Sequence, residues 1–370
     1  HVPYCKSKCI YCDFYSVTDR RPDSYFISTL LKELQLKKID FGPIVISTIY
    51  FGGGTPTLLS VKEITTIIDF IKINFKTENN IEITVEANPD DLSRDYLRDL
   101  SKTEVNRLSI GIQSFNNDLL KFLERRHNSS QAIKAIRIAR ELGFQNISGD
   151  LIYSIPGMTG EIWKETLDGI FSLGIQHISA YDLIYEEDTP LHHQRKSGEI
   201  TEVQEEKSEE FFTILRSEAL KHGFRHYELS NFAKEGFISK HNSSYWSQKL
   251  YIGVGPSAHS YAGEIRMWNT SDLKAWQAGV NSGETYFETE QLSVTDKFNE
   301  LLIKGLRTDS GIRLSTIRKE FGKEILEFLL KEAKKHLQSK SLIIENDSLI
   351  LTSKSLFISD RIISDLFMIN

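Results

Sequence analysis

Cysteine is scarce in this 370-residue chain: there are three, all between positions 5 and 12. Three thiols cannot pair off as disulfides, which excludes a cross-linked extracellular scaffold. One local cluster points instead to a metal or redox site in a reducing compartment. No run of about 18 apolar residues occurs, so nothing reads as a membrane-spanning helix. The start shows no basic stretch followed by an apolar one, and the expected location is the cytoplasm. It begins with His1 rather than Met, which leads to the expectation that further residues precede it in the natural protein. Glycine and proline are sparse, 22 and 8 residues, while aromatics reach 11%, a balance that excludes a disordered chain. Charge of one sign is lacking too: 45 Lys+Arg against 51 Asp+Glu leave a net −6, which does not favour a nucleic-acid partner.

What is present is an alternation of apolar strand-like runs with amphipathic helical ones, the pattern of a parallel sheet. A strand end at 1–3 precedes a helical stretch at 25–39. Strands at 44–51, 81–86, 107–112, 147–152 and 177–183 are then each followed by helical stretches at 61–75, 93–100, 131–142, 161–173 and 203–221. Six such units predict an α/β fold built on a partial (βα)6 TIM-like barrel, open rather than closed at eight. The stretch 192–196, leading into the acid-rich 199–210, reads as an exposed crossover and helix start. Residues 228–268, rich in Gly, Ser, Asn and aromatics without a clear period, read as loop and short strand.

The last 75 or so residues change character. Helices at 295–306, 315–320 and 323–336 precede strands at 341–345 and 348–352 flanking Asn346-Asp347, a hairpin signal, and a final helix near 355–367. This order predicts a C-terminal winged-helix-like α/β module. Residues 295–370 carry 13 Lys+Arg and 11 Asp+Glu, so structural or partner docking is favoured over nucleic-acid binding. The expected division is a barrel at 1–195, a connecting region at 196–294 that completes the core, and the module at 295–370.

Cys5, Cys9 and Cys12 form C-x3-C-x2-C. A short loop of this kind can wrap three corners of an iron–sulfur cube, and no further cysteine serves the fourth iron. The competing reading is zinc, with His1 completing a Cys3His tetrahedron. The other candidate residues fall at the C-terminal ends of the expected strands, where barrel enzymes build their sites. They are Gly53, Gly54 and Thr55 in Gly52-Gly53-Gly54-Thr55-Pro56, then Glu86, Gln113 and Asp150, with Arg125 in Glu124-Arg125-Arg126-His127. Glycines let backbone approach a ligand, a strand-end carboxylate suits a ribose hydroxyl or an ammonium, and Arg125 suits a carboxylate.

With these residues in view, the cysteine loop resembles the radical S-adenosylmethionine (SAM) superfamily, and its flanks resemble the coproporphyrinogen-oxidase-like branch. The resemblance implies a [4Fe-4S] cluster on Cys5, Cys9 and Cys12, with SAM on the open iron. Tyr11, Gly53, Gly54, Thr55, Glu86, Gln113, Arg125 and Asp150 match positions that contact SAM. It further implies an electron donor and one-electron cleavage of SAM to a 5′-deoxyadenosyl radical.

Oxygen-independent coproporphyrinogen III oxidases carry another cysteine soon after the third ligand, whereas Asp13 and Phe14 follow Cys12 here. The chain is more similar to the HemW group of haem chaperones, which share Cys-Asp-Phe and a His-Asn-x-x-Tyr-Trp motif, present as His241-Asn242-Ser243-Ser244-Tyr245-Trp246. Tyr227-Glu228-Leu229-Ser230-Asn231-Phe232-Ala233 and Gly253-Val254-Gly255-Pro256-Ser257-Ala258-His259-Ser260 match as well. That resemblance implies haem binding, with His241 or His259 as axial ligand, and delivery of haem to acceptors such as respiratory enzymes at the membrane. The alternative functions are the oxidase itself and, less favoured by the charge, nucleic-acid modification.

Overall fold

The computed structural model describes residues 1–369. After the cysteine loop, the chain runs α1 (Ser24–Phe41), β1 (Val45–Phe51), α2 (Val61–Asn74), β2 (Lys76–Ala87), α3 (Arg94–Leu100) and β3 (Arg107–Gln113). Then come α4 (Asn117–Phe122), α5 (Ser129–Glu141), β4 (Asn146–Tyr153), α6 (Gly160–Ser172), β5 (His177–Asp182), α7 (Pro190–Ser197) and α8 (Glu205–Lys221). The central sheet has the order β1-β2-β3-β4-β5 with every pair parallel, and it ends in a hairpin of β6 (Arg225–Glu228) and β7 (Asn231–Ala233), β7 pairing antiparallel with β5. Helices over a parallel sheet bury both faces of its strands, and β3 is accordingly buried at six of its seven positions. Capping boxes at Ser60/Glu63 and Asn128/Gln131 satisfy the free amides that start α2 and α5.

The sheet is thus an open half-barrel, as expected, with one amendment. The strand end expected at 1–3 is a single parallel bridge between Val2 and Gly53, closed by Val2 N–H to Gly52 O and Gly54 N–H to Val2 O. That bridge suspends the cysteine loop from the end of β1.

The region expected to be loop is more ordered. It holds a helix, α9 (Lys240–Trp246), besides the short strands expected, β8 (His259–Tyr261) and β9 (Ile265–Asn269); beyond it come α10 (Leu273–Ser282) and β10 (Phe287–Gln291), with β8, β9 and β10 in a separate antiparallel sheet. Glu33 of α1 ties this region down: its buried carboxylate accepts from Gly255 N–H at 2.7 Å, Asn269 Nδ2 at 2.6 Å and Trp276 Nε1 at 2.9 Å. Such a set replaces the water a buried carboxylate loses.

The C-terminal part comprises α11 (Val294–Leu306), β11 (Ile312–Arg313), α12 (Leu314–Phe321), α13 (Lys323–Gln338), β12 (Leu342–Glu345), β13 (Ser348–Leu351) and α14 (Ser359–Ser364). Its sheet order is β11-β13-β12, the winged-helix-like arrangement expected. It packs on a buried apolar cluster of its own, from Phe298 to Leu366, whereas the barrel's cluster extends as far as Tyr286. No helix among the described residues is long and apolar enough to cross a membrane.

Candidate functional site

The strand ends and the cysteine loop converge on one cavity of about 470 Å³. All eight candidate SAM residues line it: Tyr11, Gly53, Gly54, Thr55, Glu86, Gln113, Arg125 and Asp150. Cys12 lines it too.

Each position has a local cause. Gly53 has φ +111°, and a Cβ there would fall 2.0 Å from the His1 ring; at Gly54 a Cβ would meet the Tyr4 carbonyl oxygen at 2.7 Å and Cys5 Sγ at 3.0 Å. Only glycine fits between the loop and β1. Gln113 is a non-glycine residue at φ +63°, where the β3–β4 register shifts; this irregularity ends the strand and re-aims its side chain.

The thiols are partly exposed and each has a distinct setting. Thr55 Oγ1 donates to Cys5 Sγ at 3.5 Å, Arg125 Nη1 approaches Cys9 Sγ at 3.3 Å, and burial pushes the Cys12 thiol up to about 11. Arg125 is fixed by Asn88 Oδ1 at 2.5 Å and the Gly111 carbonyl at 2.8 Å, and Asn88 in turn donates to Thr55 Oγ1 at 3.2 Å. The cradle fits an iron–sulfur cluster: three thiols on one loop, a cation beside one of them, and a glycine that leaves room. His1 is turned elsewhere, its Nε2 donating to the Tyr15 carbonyl at 3.0 Å. Among the described residues, no three His, Cys, Asp or Glu side chains gather closely enough to hold a single metal ion.

Two carboxylic acids line the same cavity. Burial raises Glu86 to about 7, against a hydrogen bond from Tyr50 OH at 2.6 Å. Burial likewise raises Asp150 to about 6, opposed by Arg107 and by the Ser109 and Ser148 hydroxyls at 3.0 and 3.2 Å.

His241 lies on α9 rather than on a loop. Ser239 caps this helix, and the carboxylate of Glu82, from β2, accepts from the amides of Lys240 and His241 at 3.0 and 2.9 Å. A carboxylate at a helix start satisfies amides that otherwise have no partner. The His241 ring stacks on Tyr50 at 4.4 Å and meets Tyr245 edge-on; its Nδ1 lies 2.9 Å from Thr48 Oγ1. Burial lowers it to about 4, so it is neutral at pH 7. His259, on β8, is exposed and stacks on Trp268. Both histidines line a second cavity of about 940 Å³ that shares Tyr50, Gly53, Glu86 and Asn242 with the first.

Sequence reasoning missed Asn88, Tyr50 and Arg107, which build the same cavity. Asn88 and Tyr50 carried a signal, since each lies within three residues of a candidate, in Glu86-Ala87-Asn88-Pro89 and Tyr50-Phe51-Gly52-Gly53.

Thiolate loop, strand-end acids and half-barrel together define a radical SAM protein. Residues 1–170 match the Radical SAM superfamily and residues 292–358 the HemN C-terminal domain. The chain is 35% identical to the heme chaperone HemW of Bacillus subtilis over 95% of its own length and 93% of the relative's. It is 32% identical to that of Lactococcus lactis over 98% and 94%. Among solved structures, coproporphyrinogen III oxidase HemN from Escherichia coli superposes with a TM-score of 0.84, covering 100% of this chain and 89% of that one. At 20% identity this likeness shows the fold alone. The chain belongs to the HemW family.

Proposed function

We propose that this protein is a haem chaperone that holds haem, a [4Fe-4S] cluster and SAM, and passes haem to acceptor proteins such as respiratory enzymes. Cys5, Cys9 and Cys12 would hold the cluster, with Thr55 and Arg125 hydrogen-bonding its sulfurs. Tyr11, Gly53, Gly54, Thr55, Glu86, Gln113, Arg125 and Asp150 would hold SAM. When bound, cluster and SAM supply one-electron chemistry.

The observation that carries the haem reading is the setting of His241. A metal-binding imidazole must be neutral, which its burial ensures. With Nδ1 at Thr48, Nε2 is the free nitrogen, on a ring stacked on Tyr50 and set edge-on to Tyr245. His259 is the rival ligand on the same cavity.

Titrating haem into the purified protein and its His241→Ala and His259→Ala forms tests this. His241→Ala is expected to weaken binding about tenfold, roughly 1.4 kcal/mol, and to change the Soret band, with His259→Ala nearer wild type. Unchanged affinity and spectrum in His241→Ala would reject it as ligand. Conversion of coproporphyrinogen III to protoporphyrinogen by reconstituted protein, given SAM and a reductant, would overturn the chaperone reading in favour of the oxidase.

A further inference from the structure

We infer that Arg107, at the start of β3, is a binding residue for a ligand carboxylate. Arg107 is 1% exposed and its side chain lines the 470 Å³ cavity. Among the described residues its guanidinium forms no hydrogen bond or ion pair, and its Nε is buried without a partner. A guanidinium stays protonated in any protein setting, so a charge is held out of water with no hydrogen-bonded acceptor and with Asp150 as the carboxylate near enough to feel it. Such a charge is strongly unfavourable unless a counter-charge arrives.

The surrounding groups supply one only in part, and none accepts a hydrogen bond from the guanidinium. Asp150 is near enough to feel Arg107, but its oxygens are engaged by Ser109 and Ser148. His177 is taken at both nitrogens, by Ser148 Oγ and Tyr227 OH, each at 2.8 Å. Besides burial, the positive charge of Arg107 helps keep the His177 and His241 imidazoles neutral. Arg125, the other arginine of the cavity, is committed to Asn88, Gly111, Cys9 and Tyr11. Arg107 therefore has donors to spare, and their planar fork matches a carboxylate.

Two ligands of this site carry one: the amino-acid end of SAM and the propionates of haem. The inference rests on the reading of the site given above. It is tested on Arg107→Met, which keeps much of the length without the charge, and on Arg107→Lys, which keeps the charge without the fork. SAM is titrated into anaerobically reconstituted protein, and haem and its dimethyl ester, which has no free carboxylate, into the purified chain. Melting temperature is followed without ligand.

Arg107→Met is expected to weaken one of the two acids about tenfold while the ligand-free melting temperature holds or rises, because a buried charge without hydrogen-bonded acceptors has gone. Loss confined to SAM assigns its carboxylate. Loss for haem, with the ester bound equally by variant and wild type, assigns a propionate. Arg107→Lys is expected to retain part of the affinity. Wild-type affinity for both acids in Arg107→Met overturns the inference, as does an equal loss for haem and ester with a lowered melting temperature. If wild type binds no haem, the chaperone reading falls and the SAM titration alone decides Arg107.

Discussion

In the barrel, Glu33, Lys37, Glu82, Arg107, His127, His177 and Glu228 are all buried, whereas in the C-terminal module the buried polar side chains among the described residues are two serines, Ser355 and Ser359. The module is held by apolar packing of Phe298, Leu302, Leu306, Leu329, Leu349 and Leu366, all at 0% exposure. The barrel instead buries charged and titratable groups, some as ties such as Glu33 and Glu82, and one, Arg107, on the wall of the candidate cavity. Strain and unpaired polar groups collect at binding sites because a ligand relieves them, while a supporting module has no such reason to carry them. We accordingly propose that residues 295–370 act as a docking or bracing unit and that the chemistry belongs to the barrel.

The sharpest way to break this comparison is at the cysteine loop. Cys12→Ser removes one of three thiolates, and iron and sulfide after anaerobic reconstitution should fall close to none, with the module's folding untouched. One zinc and no sulfide in the wild type would instead reject the cluster. Next in size is Phe298→Ala in the module, which empties a site packed edge-on against Phe321 and Phe328. Denaturant unfolding should show a loss of about 3–5 kcal/mol. SAM affinity of the remaining folded protein should stay at the wild-type value; a fall would show that the module shapes the cavity.

A smaller effect tests the barrel's buried acids. Glu86 and Asp150 are raised from 4.5 and 3.8 to about 7 and about 6, so the folded state favours their protonated forms. Their stabilising contribution is full below about pH 4 and is lost as pH rises through 6 to 7. Glu86→Gln imitates the protonated acid. It should raise the melting temperature by about 3 °C at pH 8, change it little at pH 4.5, and weaken SAM binding. Least of all, Arg225→Ala breaks a half-exposed pair with Asp309, at the join of barrel and module, and should cost under about 1 kcal/mol, less in high salt.

Much of the barrel was legible because its strands are buried on both faces and so read as continuous apolar runs, with candidate residues at their C-terminal ends. The winged-helix-like order was legible through the hairpin signal at Asn346-Asp347, the left-handed pair of its turn. By contrast α9 was not, since Lys-His-Asn-Ser-Ser-Tyr-Trp has no apolar period. It is a helix because Ser239 caps it and Glu82, 159 positions before His241, binds its first amides. Arg107 escaped notice for a related reason. At the head of a strand an arginine reads as solvent-facing, and only the curl of the sheet turns it inward. Glu33 likewise sits in a helix whose polar residues look like an outer face, until Trp276 and the Gly253-Val254-Gly255 stretch cover it.

Asn242 borders both cavities described above and a third, of about 780 Å³, that also includes Arg307 and Asp360 of the module. One short helix is therefore a party wall. A ligand that moves this helix from one room would move Asn242 in the room where SAM would sit, and Tyr245 and Trp246 carry the same wall round to the module. If haem moves that helix, haem and SAM each alter the other's affinity by the same factor, and titrating SAM with and without haem measures it.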